Sequence, residues 1–357
     1  MRVAVDARHL GRGRGIARYL DSMLSALASS HPEVEWVAVS ASRPGFLPPP
    51  GIATGRPRLP PRLANASAAL IGRPRVDRVA GGADVVWIPS PMPVAWSSPV
   101  PAVLTVHDLS WEQRPGDFTA YERAWHALAR PRRLAARSSR IVCVSEETRT
   151  QMFAAGWPVE PGRTCVIPEA PEAGLASAPP GDQGRYLLYV GALEPRKGID
   201  TLAAAIGVAR GLGLELPVVV VGAGRESGLL AGLPGVELVG TTSDPELARL
   251  YRGATALVFP SKLEGFGLPP VEAAACGVPT VGSDLPVLRE FLGEAYLATP
   301  PGDSLLLGEA LFRISTDLAL RNRLGEASRE AVSGLSWERS AESLFAVLCE
   351  AAREAAS

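Results

Sequence analysis

Residues 259 to 272 read Phe-Pro-Ser-Lys-Leu-Glu-Gly-Phe-Gly-Leu-Pro-Pro-Val-Glu. The run that leads into them, Ala256–Phe259, predicts a β-strand, the Gly-Phe-Gly triplet predicts a turn, and Pro270 predicts the start of an α-helix. A strand, a glycine loop and a helix in this order expose backbone N–H groups at the helix N-terminus. Such a terminus binds phosphate readily.

Two carboxylates belong to this segment, Glu264 and Glu272, eight positions apart. We expect Glu264 in the loop and Glu272 in the first helical turn or just beyond it, both facing one ligand. Carboxylates accept strong hydrogen bonds from hydroxyl groups. The alternative is structural: a glutamate near a helix N-terminus is favourable through the helix dipole alone, and two glycines can simply make a turn.

A second segment of the same kind spans residues 189 to 198, Tyr-Val-Gly-Ala-Leu-Glu-Pro-Arg-Lys-Gly. It follows a predicted strand, Tyr186–Val190, and precedes a predicted helix, Asp200–Leu212. Arg196 and Lys197 therefore lie in a loop at the carboxyl end of a strand. Adjacent fixed cations stabilise negative charge as it forms on a ligand. Two solvated charges on a loop are the alternative.

The whole chain alternates short β-rich runs with helical runs, which predicts an α/β fold of two doubly wound, Rossmann-like domains. We expect an N-terminal domain over 1–170, a linker over 171–184, a second domain over 185–335 and a C-terminal helix over 336–357 that crosses back to the first domain. Ligands of doubly wound sheets bind at the carboxyl ends of the strands, so the site is expected in a cleft that the two domains face. Residues 41–80 predict a long loop with one short helix, and Asp244 predicts the N-cap of a helix that ends at Tyr251.

Three strand ends in the first domain carry polar residues. Residues 11 to 16, Gly-Arg-Gly-Arg-Gly-Ile, follow the first strand; they fail the dinucleotide fingerprint because position 16 is not glycine, and an ordinary βα turn is the alternative. His107 ends a buried strand and is followed by Asp108, which can cap the next turn. Ser145 begins a helix and is equally well explained as its N-cap.

The segment around Glu264 and Glu272 resembles the E-x7-E motif of retaining glycosyltransferases with the GT-B fold, family 4 in particular. The resemblance implies that Glu264 contacts hydroxyls of the donor sugar and that Glu272 holds the ribose hydroxyls. It also implies that the amides of Phe266, Gly267 and Leu268 bind the sugar and the phosphate. No metal or other cofactor is expected, because the sequence has no Asp-x-Asp motif.

The same resemblance assigns the remaining residues. Arg196 and Lys197 correspond to the diphosphate clamp of the family, although many members carry the arginine directly after the first glycine, Gly191, where this chain has Ala192. The Leu-Glu-Pro-Arg-Lys sequence is similar to a mannosyltransferase-like sub-branch, which favours GDP-mannose. The other assignments are Gly15 beside the donor diphosphate, Gly191 among the donor-binding residues, His107 beside the transferred sugar, and Arg12, Arg14 and Ser145 on the acceptor side.

The sequence therefore predicts a retaining hexosyltransferase that uses a nucleotide-diphosphate sugar and a glycan, glycolipid or natural-product acceptor. Three alternatives stay open: a nucleotide-sugar epimerase of the same architecture, a nicotinamide oxidoreductase, and a non-catalytic sugar-binding relative. The glycine pattern disfavours the oxidoreductase. The epimerase does not explain the two glutamates together with the Arg-Lys pair.

The composition excludes some partners and locations. The formal net charge of −1 argues against a nucleic-acid partner, although residues 1–170 hold 21 Lys and Arg against 14 Asp and Glu. The uncharged run 85–106 contains five prolines and is rejected as a membrane span. The four cysteines form no C-x-x-C pair, as expected in a reducing cytosol. We expect a cytoplasmic protein whose first domain either contacts an anionic membrane or carries a solvated arginine-rich loop. The arginines concerned are Arg56, Arg58, Arg62, Arg73, Arg75 and Arg78.

Overall fold

The computed structural model describes residues 1–10, 15–41, 48–172, 174–175 and 184–356. The chain divides into two compact units: unit 1 comprises Met1–Glu169 and Ser336–Ser357, and unit 2 comprises Ala170–Leu335. Arg12, Arg14 and most of the predicted linker over 171–184 lie outside the described residues.

Unit 1 is built on a parallel sheet of seven strands. In chain order the strands are β1 (Arg2–Asp6), β2 (Glu35–Val39), β3 (Ala53–Gly55), β4 (Val85–Ile88), β5 (Ala102–Val106), β6 (Arg140–Cys143) and β7 (Thr164–Val166). They lie side by side in the order β3-β2-β1-β4-β5-β6-β7. The helices are α1 (Ile16–Ser30), α2 (Pro61–Ile71), α3 (Val76–Val79), α4 (Ser110–Gln113), α5 (Ala120–Ala129), α6 (Pro131–Arg137) and α7 (Glu146–Ala154), with 3₁₀ turns at Pro115–Asp117 and Pro161–Arg163.

Unit 2 is built on a parallel sheet of six strands. They are β8 (Tyr186–Val190), β9 (Val218–Val221), β10 (Val236–Gly240), β11 (Ala254–Phe259), β12 (Thr280–Ser283) and β13 (Leu297–Thr299), in the spatial order β10-β9-β8-β11-β12-β13. The helices are α8 (Ile199–Gly211), α9 (Ser227–Leu230), α10 (Asp244–Gly253), α11 (Leu268–Ala275), α12 (Pro286–Leu292), α13 (Ser304–Thr316) and α14 (Leu318–Val332), and a 3₁₀ turn covers Pro195–Lys197.

Strands β4 and β11, at the centres of the two sheets, are buried along their whole length because both of their faces are covered. Val85–Ile88 and Ala254–Phe259 are buried at every position, as expected for parallel strands with helices on both sides. Trp87 and Phe259 are among the largest fully buried side chains. The prediction of two doubly wound α/β sheets is therefore confirmed.

The last helix, α15 (Trp337–Ala356), follows unit 2 in the sequence but packs in unit 1, against α1. Its Trp337 ring meets Tyr19 of α1 edge to face, with 5.9 Å between ring centroids. The Ser340 hydroxyl donates to the carbonyl of Pro168 at 2.7 Å, and Arg140 of β6 forms ion pairs with Glu350, at 3.1 Å, and with Glu354. Unit 1 is thus completed by both ends of the described chain.

Each sheet has a point where the strand order reverses, between β1 and β4 in unit 1 and between β8 and β11 in unit 2. The loops that leave two neighbouring strands at such a point diverge to opposite faces of the sheet and open a crevice. The segments 191–198 and 260–267 leave β8 and β11, so both conspicuous segments of the sequence flank one crevice.

Three local predictions were wrong. The part of 41–80 that the structure describes contains a strand, β3, and two helices rather than a loop with one short helix. The N-cap of α10 is Ser243, not Asp244, because Ser243 has extended backbone angles and accepts from the amide of Glu246. Helix α11 begins at Leu268 rather than at Pro270, since Gly267 adopts a left-handed conformation that only glycine tolerates easily.

Candidate functional site

The loops after β8 and β11 are in direct backbone contact. The amide of Lys262 donates to the carbonyl of Arg196 at 2.8 Å. Gly198 has a φ of 70°, and a Cβ at this position would overlap the carbonyl of Pro260. Glycine is therefore required for the two loops to approach, and their approach brings the Arg-Lys pair to the first glutamate.

Lys197 and Glu264 form an ion pair at 2.5 Å between Nζ and Oε1. Their side chains are only 14% and 9% exposed, so solvent screens the pair weakly. Removing either partner would leave the other charge in a poorly solvated place. The structure thus joins two residues that the sequence placed in separate segments 67 positions apart.

Arg196 differs from its neighbour because no carboxylate in the described part of the chain pairs with it. Its side chain is half-buried at the carboxyl end of β8. A half-buried guanidinium with five N–H donors and no internal anion is suited to an external one. Arg196 is accordingly the cation of this loop that is available to a ligand.

The N-terminus of α11 offers fewer amides than the sequence pattern suggested. Pro269 and Pro270 occupy its second and third positions and have no N–H, and the amide of Val271 donates to the carbonyl of Gly267 at 3.3 Å. The remaining donors are the amides of residues 266, 267 and 268, which lack an acceptor among the described residues. These are the three amides that the resemblance assigned to sugar and phosphate.

Glu272 lies deeper than the motif suggested. It is the fifth residue of α11, in the second turn, and is 2% exposed. Tyr251 belongs to α10, and its hydroxyl donates to Glu272 Oε2 at 2.7 Å. Tyr251 therefore fixes one oxygen of this carboxylate, and the contact of Glu272 with ribose hydroxyls stays a prediction.

A glycine loop after β9 was not predicted from the sequence. A Cβ at Gly222 would overlap the carbonyl of Gly191, and a Cβ at Gly224 would overlap the carbonyl of Leu193. The amide of Gly191 donates to the carbonyl of Val221 at 3.0 Å, and the assignment of Gly191 to donor binding stays a prediction. The Gly-Ala-Gly triplet directly after a run of four valines was the available signal.

An exposed ion pair ties the same two loops together. Arg225 Nε lies 2.5 Å from Glu194 Oε2, and the amide of Glu226 donates to the carbonyl of Leu193 at 2.9 Å. The loop after β8 is therefore held on one side by the loop after β9 and on the other by the loop after β11. This double support fixes the position of Arg196.

In unit 1, His107 lies at the carboxyl end of β5 with both ring nitrogens engaged. Nδ1 is 2.9 Å from Glu169 Oε1, and Nε2 is 2.8 Å from the carbonyl of Pro89. A ring nitrogen that faces a carbonyl oxygen carries a hydrogen, so the charged imidazolium satisfies both partners. Tyr19 packs edge to face on the ring at 4.6 Å between centroids. Glu169, which follows the last strand of the unit, was missed from the sequence.

This environment determines the protonation of His107. Burial lowers the pKa of the imidazole, but the hydrogen bond and the charge of Glu169 outweigh it, so the pKa is raised above its usual value. A histidine whose folded pKa is raised stabilises the fold below the unfolded pKa, near 6.5, and this contribution is lost as pH rises through the folded pKa. Both ring-nitrogen contacts and the raised pKa therefore favour the imidazolium form of His107 over the neutral ring.

The variant Glu169→Gln tests this assignment. With the carboxylate gone, burial dominates, and the pKa of His107 should fall below about 6.5. NMR titration of the four histidine rings measures this, with the His107 signal identified by its loss in His107→Asn. His126 is the internal control: burial lowers its pKa, and the carboxylates that act on it are Asp108 and Glu122. An unchanged His107 pKa in Glu169→Gln would contradict the assignment.

The other predicted residues of unit 1 have structural roles. Ser145 is fully buried and its side chain accepts from the amide of Thr148 at 3.0 Å, so it caps α7, and its acceptor contact stays a prediction. Asp108 Oδ1 accepts from the amide of Ser110 at 2.8 Å, which confirms the turn cap. Gly15 has a φ of 73° and forms the N-cap of α1, so a non-glycine residue would be strained there.

Two further properties belong to the described residues as a whole. Among residues 1–10, 15–41, 48–172, 174–175 and 184–356, no three His, Cys, Asp or Glu side chains come together as metal ligands. Within the same ranges no helix combines the length and apolarity that crossing a bilayer requires.

Comparison with known proteins follows the division into units. Residues 13–170 match the model of Glycosyltransferase Family 4, and residues 176–331 match the model of Glycosyl transferases group 1. Sucrose-phosphate synthase from Thermosynechococcus elongatus has a similar structure, with a TM-score of 0.73 and 22% identity over the full length of both chains. The fold is that of the GT-B proteins, two Rossmann-like domains in one chain.

Two curated relatives add sequence similarity. A D-inositol 3-phosphate glycosyltransferase of Actinosynnema mirum is 31% identical over 71% of this chain and 67% of its own length. The O-antigen chain mannosyltransferase B of Escherichia coli is 32% identical over 43% of this chain, which spans 42% of that relative. The chain belongs to the group 1, family 4 glycosyltransferases.

Proposed function

We propose that this protein is a retaining hexosyltransferase that moves a hexosyl or deoxyhexosyl group from a nucleotide-diphosphate sugar to a hydroxyl of a glycan, glycolipid or natural product. One observation carries the proposal. At the switch point of unit 2, Lys197 is held by Glu264, while Arg196 meets no anion and three neighbouring amides meet no acceptor among the described residues. This set of donors around one crevice fits a diphosphate and the sugar attached to it.

The charges of this set match the bond that has to break. When the acceptor oxygen bonds to the anomeric carbon, the bond from that carbon to the β-phosphate oxygen breaks and its electron pair stays on the diphosphate. Arg196 can hold two phosphate oxygens at once, and Lys197 adds a second positive charge nearby. Both stabilise the leaving group most strongly as its charge develops. The departing phosphate takes the acceptor proton, and same-face attack retains the anomeric configuration.

Glu264 has two tasks in this mechanism. In the structure it fixes the ammonium group of Lys197. With donor bound, its second oxygen is suited to accept from a hydroxyl of the sugar, as the family resemblance implies. Since protein cations supply the charge, we propose that transfer needs no divalent metal, and equal rates with and without EDTA are expected.

GDP-mannose is the donor we favour. The Leu-Glu-Pro-Arg-Lys sequence resembles a mannosyltransferase-like sub-branch, and one relative is named a mannosyltransferase. The inositol phosphate glycosyltransferase relative leaves the acceptor open between a glycan and a smaller polyol phosphate.

A thermal-shift series with UDP, GDP, dTDP, ADP and their common sugar conjugates tests the donor site. A ligand that binds only the folded state adds about 2.7 kcal/mol of stability at 100 times its Kd. GDP and GDP-mannose are expected to give the largest rise in Tm.

The matched variants are Arg196→Ala and Arg323→Ala. Arg196→Ala should abolish the shift. Arg323 is an exposed arginine of α14 that forms no ion pair with any residue the structure describes, so its replacement should leave the shift intact. No shift with any nucleotide in a folded protein would overturn the proposed site, and a shift with another base would correct the donor.

A further inference from the structure

Helix α2 turns an apolar side to solvent. Surface helices normally bury an apolar stripe and expose polar residues. Ala64 and Ala68 are the buried residues of α2, and the opposite side of the helix presents Leu63 and Leu70, which are 59% and 70% exposed. Ile71, at the end of the helix, is 71% exposed. The solvent-exposed side of α2 is therefore apolar, the opposite of the usual arrangement in a surface helix.

A neighbouring helix carries a further exposed apolar side chain. Helix α5 contacts α2 and carries Tyr121, which is 69% exposed. Among the large apolar side chains of the described residues, these are the four most exposed, and all lie on this helix pair. Single exposed apolar residues are ordinary, but a cluster on adjacent helices marks an interaction site.

Arginines surround this cluster without acidic partners. The sequence contains no Asp or Glu between Glu35 and Asp77, and Asp77 is buried. The arginines at 56, 58, 62, 73 and 75 are exposed and form no ion pair in the described part of the chain; Arg78 has a loose one, at 3.7 Å, with Asp77. They are placed before α2, in its first turn and after its last.

The positive charge continues onto α6. Burial lowers the pKa of Arg137, and the like charges of Arg133 and Arg75 lower it further. The Arg137 guanidinium lies 4.2 Å from the centroid of the Trp96 ring. Since Arg75 precedes α3 and the other two arginines belong to α6, separate elements bring their cations to one side of unit 1.

We propose that this basic apolar face, formed by Leu63, Leu70, Ile71 and Tyr121 with the surrounding arginines, binds the surface of an anionic phospholipid bilayer. The leucines, the isoleucine and the tyrosine enter the boundary between head groups and acyl chains. The arginines pair with lipid phosphates on either side. Arginines alone would also serve a nucleic acid, but the exposed apolar side chains between them favour a lipid surface.

The proposal is separate from the donor site, because all these residues belong to unit 1 and the donor residues belong to unit 2. Binding to lipid is measured without nucleotide, and nucleotide binding is measured without lipid. Failure of one assay therefore leaves the other result intact.

Sedimentation of the full chain with lipid vesicles is the test. Binding is expected with vesicles of equal parts phosphatidylcholine and phosphatidylglycerol, not with phosphatidylcholine alone, and it should weaken with salt. The double variants Leu63→Ser/Leu70→Ser and Arg58→Gln/Arg62→Gln should each lower the partition coefficient about tenfold or more, the arginine effect being about fivefold per residue.

Matched controls come from unit 2, where Leu305 and Leu318 are also exposed, 57% each, and Arg313 and Arg323 are exposed as well. The variants Leu305→Ser/Leu318→Ser and Arg313→Gln/Arg323→Gln should bind vesicles like the unaltered protein. Equal Tm values for all four double variants show that any loss of binding is not a loss of folding.

Four outcomes would overturn the proposal. One is absence of binding to the anionic vesicles. Another is unchanged vesicle binding by the Leu63→Ser/Leu70→Ser variant, which would show that these leucines do not contact the bilayer. The third is a dimer, detected by light scattering, that this variant dissociates. The last is binding of a DNA duplex that the leucine change leaves unaltered, which would mark a polyanion surface instead.

Discussion

Replacing Lys197 by alanine is expected to lower kcat for sugar transfer by about 100- to 1,000-fold, the usual effect of removing one group that stabilises developing negative charge. The change removes a cation from the crevice and leaves the Glu264 carboxylate, 9% exposed, without its partner. Glu264→Gln keeps the shape but no longer holds the ammonium group, so a loss of similar size is expected. Initial rates at saturating donor measure both.

Lys262 provides the matched control, since it is the only other lysine of the chain. It lies in the loop after β11, two positions before Glu264, and pairs with Asp200 at 2.7 Å; that carboxylate is half exposed. Exposed pairs contribute about 1 kcal/mol or less. Lys262→Ala should therefore change kcat by about twofold at most. Equal losses of kcat in both lysine variants would mean that disturbance of the two contacting loops, rather than loss of the Lys197 charge, lowers the rate.

The largest stability effect is expected from Gly222→Ala. Gly222 has a φ of 145°, and a Cβ would overlap the carbonyl of Gly191, a backbone atom that cannot rotate away. Clash and backbone strain together should destabilise unit 2 by about 3 kcal/mol or more. Gly207→Ala is the matched control, because this glycine lies on the exposed side of α8 with open space around it. Alanine at this position should raise the free energy of unfolding of unit 2 by about 0.5–1 kcal/mol.

The two units can be followed separately in these variants. All seven tryptophans, at 36, 87, 96, 111, 125, 157 and 337, belong to unit 1, so tryptophan fluorescence reports that unit. Far-ultraviolet circular dichroism reports both. Gly222→Ala should move the dichroism transition in urea to lower concentration and leave the fluorescence transition in place. A shift of the fluorescence transition alone would contradict the assignment of the strain to unit 2.

The elements of the fold were predictable because their signals are local. The run of four valines that forms β9 and the apolar runs of β4 and β5 can only be buried strands, and the turn residues that follow them mark the carboxyl ends. Arg196, Lys197 and Glu264 were found in this way. The length of helix α2 was underestimated, because its apolar outer side removes the alternation of apolar and polar faces that identifies a surface helix.

The missing parts of the site depend on contacts between distant segments. Glu169 reaches His107 across 62 positions, and Gly222 matters only because Gly191 lies against it. No local pattern reveals such approaches, since they arise when strands β8 and β9 are placed side by side. The small number of backbone N–H donors at the N-terminus of α11, by contrast, could be predicted from Pro269-Pro270, because proline has no amide hydrogen.

The position of α15 has a consequence for biosynthesis. A ribosome releases β1 to β7 first, then all of unit 2, and only afterwards residues 336–357, which cover α1. Unit 2 is contiguous in sequence and can finish folding during translation, whereas the earlier-made domain waits with the side of α1 around Tyr19 uncovered until the last helix emerges. The domain that is synthesised first is therefore the one that needs protection longest from misfolding and chaperone-dependent turnover.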